Sequence, residues 1–401
     1  MRILLITQNF PPEIAASAAR HSELARYWAE SGHEVTVLTG MPNHPTGVIP
    51  PEYKGAVRRE EKVDGHRVVR TWVYATPNTG LIRRTLNHLS FMVTTVLLGT
   101  GRVGRPDAVV VTSPPFFQVI GAWILSLIKR APLVFEVRDL WPGIFEELGV
   151  IRNRRVLWLL ERLELFMYRR ARRVVVVTDA FKQTLVERGV PASKIDVIKN
   201  GVDLERFSPR AADDGIRRRL GAGPDDFLVL HIGAHGISHA LESIADGAKL
   251  LAGRPRIRFA FVGEGARKVD LERKLSNDDI TNAISLPGIP RDEVPGYVAA
   301  ADLCLVPLRS IDAFEKWIPS KMFEFLGMAK PVLGSLAGEA AGILTDAGQT
   351  VVPPESPGDL AEAIAALADD PDRLGDMGID GRRYVEEHFD RRALAHDYLD
   401  V

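Results

Sequence analysis

A single cysteine, Cys304, in a chain of 401 residues excludes a disulfide framework and any cysteine-rich metal centre. It lies in the apolar run 302–307, the setting of a packed core thiol rather than a reactive one. Long apolar runs are also missing. The greasiest stretch, from Phe116 to Ile128, is interrupted by Gln118 and Ser126 and falls short of the ~20 residues that cross a bilayer, so no transmembrane helix is expected. The apolar core of the first nine residues is too short for a secretory leader, which predicts a cytoplasmic protein. Neither the glycine stretches 231–236 and 263–265 nor the loop 9–17 after the first strand is G-x-G-x-x-G, and the chain has no G-x-x-x-x-G-K-[ST], no H-E-x-x-H and no G-x-S-x-G. Dinucleotide oxidoreduction, P-loop chemistry, zinc hydrolysis and serine hydrolysis are therefore left without support.

What is present is ordinary in bulk, with 46% hydrophobic and 26% charged residues, and long enough for two or three domains with real cores. The net charge of -1 conceals an asymmetry. Residues 1–200 carry 28 Lys and Arg against 18 Asp and Glu, whereas the remainder carries 23 against 34. A basic half joined to an acidic half suggests that the first faces a polyanion: a membrane surface, a phosphorylated lipid or a nucleic acid. Compositional drift between two domains is the alternative.

Short β-branched runs alternate with helical patterns, the signature of βαβ units around parallel sheets. Strands are predicted at Ile3–Ile6, Val35–Leu38, Ala108–Thr112, Leu133–Val137 and Val174–Val177, with helices over Ser17–Ser31 and Val156–Ala171. A second series follows at Leu228–Ile232, Phe259–Val262, Leu303–Val306, Val332–Gly334 and Thr350–Val352. The fold class is thus α/β, two Rossmann-like domains: 1–198, a linker over 199–210, then 211–380, and a C-terminal helix over 381–401 that could pack back on the first domain.

Four stretches carry candidate chemistry. After the Leu228 strand, His235 and Gly236 form a phosphate-cradle candidate, as do Gly263 and Gly265 after the Phe259 strand, although plain turn chemistry reads the same way. From Trp317 to Glu324, Pro319 opens a helix that sets Lys321 and Glu324 one turn apart, a cation for phosphate and a carboxylate for a ribose diol. The strand through Phe135 ends in Glu136, Arg138, Asp139 and Trp141 at its carboxyl edge, where open α/β sheets bind ligands. The segment 81–98 sets Arg83 and Arg84 beside apolar positions 86, 89, 93 and 97, a pattern shared by interfacial helices and core helices. Arg152, Arg154, Arg155, Arg169, Arg170, Arg172 and Arg173 add to the basic character of this half. Asp370, two residues before Asp372, reads as a helix cap rather than a metal ligand.

Taken together, 197–209, 319–332, 136–142, 41–47 and 53–55 resemble the family-4 glycosyltransferases of the GT-B fold, in a branch similar to N-acetyl-L-fucosamine transferases of bacterial surface polysaccharide synthesis. The resemblance implies retaining, metal-independent transfer of a sugar from a UDP donor to a lipid-linked saccharide, by a protein peripheral on the inner membrane face and without a nucleic-acid partner. It places Glu324 on the donor ribose and Ser320 and Lys321 near the diphosphate, with Gly288, Ile289 and Arg291 bordering the base. Asp139, Arg138 and Glu136 are the expected catalytic group, and the turn 12–17, with Ala15 and Ala16 in place of glycines, lies beside the diphosphate. The family's second acid would fall on Lys316, with Glu315 off register. Its usual diphosphate clamp falls on Ala234 and His239, so Lys321, Lys268, His235, Gly236, His239 and backbone amides are expected to share that charge. A sugar-nucleotide epimerase or hydrolase, and a non-catalytic membrane scaffold, remain open on the same fold.

Overall fold

Alternating apolar strands, buried on both faces, demand helices above and below them, and the computed structural model has that arrangement twice. It describes all residues except 14, 45, 78–79, 144–150 and 152. The chain divides into two compact units, Met1–Lys199 with Arg392–Val401, and Asn200–Arg391.

The first unit holds β1 (Arg2–Ile6), β2 (Glu34–Gly40), β3 (Arg58–Val63), β4 (His66–Thr71), β5 (Ala108–Ser113), β6 (Leu133–Val137), β7 (Arg173–Val176) and β8 (Ile195–Val197). Their order is β3-β4-β2-β1-β5-β6-β7-β8, parallel except where β3 runs against β4. The helices are α1 (Ala16–Glu30), α2 (Leu81–Thr94, continued by a π turn over Thr95–Gly99), α3 (Phe117–Lys129), α4 (Arg154–Arg170) and α5 (Asp179–Glu187). One sheet face, carrying Leu5, Val37, Val110 and Val175, packs with Leu24 and Trp28 of α1. On the other face α3 packs beside both α2 and α4. A Cβ at Gly121 would stand 2.7 Å from the Met92 oxygen, so glycine there sets the close approach of α3 to α2.

The second unit is a six-stranded parallel sheet, β11-β10-β9-β12-β13-β14. Its strands are β9 (Phe227–Ile232), β10 (Ile257–Val262), β11 (Ala283–Leu286), β12 (Leu303–Pro307), β13 (Val332–Ser335) and β14 (Thr350–Val352). Around it lie α6 (Leu241–Leu250), α7 (Lys268–Asn277), α8 (Lys321–Gly327), α9 (Pro357–Ala368) and α10 (Pro371–His388), among shorter helices. Cys304 is fully buried in β12, and burial pushes its thiol up to about 12. Asp370 caps α10, its side chain accepting from Arg373 N at 3.0 Å.

Both sheets switch strand order at the centre, β1 beside β5 and β9 beside β12, and the crevice at the carboxyl ends of such strands is where ligands bind. Every strand expected from the sequence is present. β3, β4, β8 and β11 are additional. The single C-terminal helix expected over 381–401 is instead the end of α10 followed by α11 (Arg391–Leu399). The break is held open by backbone pairing, Val202 N to Phe389 O at 2.9 Å and Arg391 N to Val202 O at 3.0 Å. α11 then covers α1, with Trp28 Nε1 donating to Ala395 O at 2.9 Å and the Trp28 and Tyr398 rings 5.3 Å apart.

Candidate active site

In the second unit the loops after β9 and β10 lean against each other. A Cβ at Gly263 would stand 1.8 Å from the Gly233 oxygen, and one at Gly265 would stand 2.3 Å from the His235 oxygen, so only glycine permits the contact. His235 N donates to Glu264 O at 2.8 Å and Arg267 N to His235 O at 2.9 Å, which fixes the loop 233–239 over the switch point.

Lys321, the first residue of α8, reaches into this loop. Its ammonium would lie 2.9 Å from a Cβ at Gly233. It is shielded from solvent and has no hydrogen-bond partner among the described residues. Burial pulls it down to about 8, against a weaker upward pull from Glu324. Three imidazoles gather around it, with the His231 ring 5.7 Å from His235 and 5.9 Å from His239. Burial and then the Lys321 charge hold His235 down at about 4 and His239 at about 3, with His231 well below its ordinary value. The cluster is therefore one buried cation among neutral rings. Charge in such surroundings is costly until an anion meets it.

The other expected donor-site residues fall nearby in two groups. Glu324 lies 3.1 Å from the Arg291 guanidinium, which itself sits over the Phe207 ring at 5.7 Å. Gly288 N donates to Glu264 Oε1 at 3.2 Å, and the same oxygen accepts from Lys268 Nζ at 2.7 Å. Lys268, expected to face phosphate, is thus met by a carboxylate. Ile289 follows Gly288 in the chain, two residues before Arg291, and Ser320 precedes α8 without capping it through its side chain. His231 and Glu264 fall within the two glycine stretches read as phosphate cradles, 231–236 and 263–265, but the sequence assigns neither a role of its own. A histidine inside an apolar strand, His231, was the available signal.

In the first unit, Glu136 stands apart from its expected role. Its side chain is 1% exposed and is enclosed by Arg20 at 3.0 Å, His21 Nε2 at 2.8 Å and Thr112 Oγ1 at 3.1 Å, which puts it beyond the reach of a bound molecule. Arg138 is held next to it, donating to Thr112 Oγ1 at 2.8 Å and to Pro114 O at 3.0 Å. Asp139, half-buried at the strand end, is pushed up to about 6 by burial, with Arg138 pulling the other way. Trp141 stacks on Phe116 with centroids 4.4 Å apart. Arg20 and His21 were missed because they lie on α1, far from β6 in sequence.

A polar pocket lies at the carboxyl end of β1, lined by Gln8, Asn9, Asn43, His44, Thr76, Arg84, Asn87 and His88. Asn87 Nδ2 donates to Tyr74 O at 2.7 Å and to Asn43 Oδ1 at 3.2 Å, and His88 Nδ1 lies 2.9 Å from Gln8 Oε1. Burial lowers His88 to about 4, so Arg84 is the pocket's cation. Ala15 precedes α1 in extended conformation and Ala16 opens it. Within the expected segments 12–17, 41–47 and 152–173, residues 14, 45 and 152 lie outside the described ones. Among the described residues no group of three or more His, Cys, Asp or Glu is arranged to hold a metal ion.

Two doubly wound parallel sheets, each with polar and charged groups at the carboxyl ends of its switch-point strands, define a GT-B type enzyme. Residues 16–201 match the glycosyl transferase 4-like domain and residues 226–370 match the glycosyl transferases group 1 domain. The chain belongs to these glycosyltransferases. It is similar to the putative colanic acid biosynthesis glycosyl transferase WcaI of Escherichia coli, 25% identical over all of this chain and 99% of that one. It is also 25% identical to the sulfoquinovosyl transferase of Arabidopsis thaliana, over 91% of this chain and 66% of the relative. Among solved structures, Anabaena HepE in complex with UDP and glucose aligns over 100% of this chain and 98% of that chain with a TM-score of 0.74 at 18% identity.

Proposed function

We propose that this enzyme transfers a sugar, an N-acetylated deoxyhexosamine, from a UDP donor to a lipid-linked saccharide with retention of configuration, in surface polysaccharide or glycolipid synthesis at the inner membrane face. The observation that carries the donor side is the buried, unpartnered Lys321 ammonium among three neutral histidines. A diphosphate is the anion that this cluster suits, with Glu324 and Arg291 beyond it for ribose and base. The structural relative HepE was crystallised with UDP and glucose, and the relative in Escherichia coli is named for colanic acid biosynthesis.

In this mechanism the bond from the anomeric carbon to the phosphate oxygen breaks as the acceptor oxygen approaches on the same face. The acceptor's proton passes to the departing phosphate oxygen. Lys321 meets the charge that develops on the diphosphate, and the backbone amides of Ala234 and Gly236 assist it, those of Gly233 and His235 being engaged by Val262 O and Glu264 O. Asp139 and Arg138 hold the reacting sugar and acceptor, while Glu136 acts through Arg138 as a positioning residue. No protein nucleophile is required.

A thermal-shift screen against UDP, GDP and ADP, with and without EDTA, tests the reading. UDP at about a hundred times its Kd stabilises by about 2.7 kcal/mol, a rise of roughly 5–10 °C for a unit of this size. The shift is expected to exceed those of the other two nucleotides and to survive EDTA. No shift with any nucleotide would overturn the transferase reading in favour of a scaffold. The Asp139 carboxyl, at about 6, gives a second test. Transfer rate should rise from pH 5 to pH 7 as it ionises, and Asp139→Asn should remove that limb and cost roughly a hundredfold in kcat, the size of effect of losing a group that orients the reacting partners.

A further inference from the structure

We infer that the layer formed by α2, α3 and α4 is the surface by which the first unit docks onto an anionic bilayer. Ten of the twenty large apolar side chains exposed among the described residues lie on this layer and its π-turn extension. On the opposite side of the same sheet, α1 and α11 contribute none among the described residues. The difference is built into the helices. Along α2 the outward stripe is Ile82, Leu86 and Val93, while the inward positions include Asn87, Thr94 and the continuing Thr95. An ordinary surface helix has its apolar stripe on the core side. In α3, Ile124, Leu127 and Ile128 point outward, and in α4 Trp158 and Leu159 do, at 57% and 60% exposure.

Charge selects the occupant. α2 and α3 contain no Asp or Glu, and of the two in α4 Glu164 is buried against Arg188 at 2.6 Å. Arg83, Lys129, Arg154, Arg155 and Arg162 share the layer. Arg162 lies over the Trp158 ring at 5.1 Å and Arg170 over Phe166 at 5.0 Å, an arrangement in which an apolar body enters lipid while the cation stays at headgroup level. Apolar area ringed by cations with scarcely an acid fits the boundary between anionic headgroups and acyl chains. α2 also contributes Arg84, Asn87 and His88 to the polar pocket. The same helix that enters lipid by one face therefore presents a polar site by another, at the height where the headgroup of a lipid-linked acceptor stands. This inference rests on the proposed lipid-linked acceptor and adds the surface that meets the membrane.

The test is flotation of the full chain with vesicles of phosphatidylcholine and phosphatidylglycerol, and with phosphatidylcholine alone. Trp158→Glu with Leu127→Glu, both at exposed positions, is compared with Val269→Glu and Ile379→Glu, exposed positions of the second unit. The wild type should bind the anionic vesicles, more weakly at high salt, and the first pair should weaken that binding at least tenfold while the second pair leaves it unchanged. Equal binding by the first pair, or no wild-type binding at low salt, would overturn the inference. So would a wild-type dimer in ultracentrifugation that the first pair dissociates, without vesicle binding, because the face would then meet a second copy. The UDP thermal shift should be the same in all three proteins. Its absence throughout would overturn the donor reading and leave the flotation result to decide this one.

Discussion

Lys321→Met is expected to raise the melting temperature of the ligand-free enzyme while removing its response to UDP. The Lys321 ammonium is buried without a partner and titrates at about 8, against 10.5 for a free lysine. At 1.36 kcal/mol per pH unit, a charge held there costs the folded state about 3 kcal/mol. A base whose folded pKa is depressed carries that cost in full below the folded value and sheds it as pH rises towards the unfolded one. The methionine variant should therefore gain most at pH 7, and the gain should vanish by about pH 10.5. Binding runs the other way. An ammonium aimed at a diphosphate and then lost weakens binding by about 3 kcal/mol, roughly a hundredfold.

The same group sets the pH dependence of donor binding. A bound diphosphate raises the Lys321 pKa, so binding takes up a proton near pH 8 to 9, and affinity should fall up to about tenfold per pH unit above 8. Calorimetry in buffers of different ionisation enthalpy reads the proton directly. A variant that melts lower than wild type, or that keeps its UDP shift, would remove Lys321 from the donor site. The gain in stability with loss of binding is the trade-off expected of a group placed for a ligand rather than for folding.

The parallel sheets were legible because their strands are short β-branched runs, such as Val109–Val111 and Val174–Val176, whose apolar character does not depend on their neighbours. β3 and β4 were missed because their residues, Arg58 to Val63 and His66 to Thr71, are largely charged or polar. A local signal was nevertheless present. Asp64 and Gly65 have φ of 44° and 81°, the left-handed pair of a two-residue hairpin, and Asp-Gly is the dipeptide that prefers it. The donor site was legible where its residues are close in the chain, Lys321 with Glu324. It was illegible where the fold joins distant loops: nothing near His231 announces Lys321, ninety positions on. The position of Glu136 could not be read at all, because the arginine and histidine that enclose it lie more than a hundred residues earlier.

Glu136→Gln is expected to cost about 3–5 kcal/mol, the range for removing one partner of a buried ion pair, and so to lower the melting temperature by roughly 10 °C. Burial alone would push this carboxyl up, but Arg20, His21 and Arg138 outweigh it and hold it well below the ordinary 4.5. An acid depressed in this way contributes its stability above the unfolded pKa and loses it as pH falls below about 4.5 through the folded value. Wild type should therefore show an acid destabilisation in that range that Glu136→Gln lacks. Arg20 also donates to the Ile198 and Lys199 oxygens at 3.1 Å, so the same pair ties β6 to the end of β8. If Arg20 and Glu136 act as one unit, the double variant Arg20→Gln with Glu136→Gln should cost little more than either alone. The UDP affinity of Glu136→Gln should match wild type, because its partners all lie in the first unit, whereas its transfer rate should fall as Arg138 loses its anchor. Wild-type stability in Glu136→Gln would show that the buried charge does not hold this strand edge, and a loss of UDP affinity in place of rate would move Glu136 from positioning the acceptor side to the donor side.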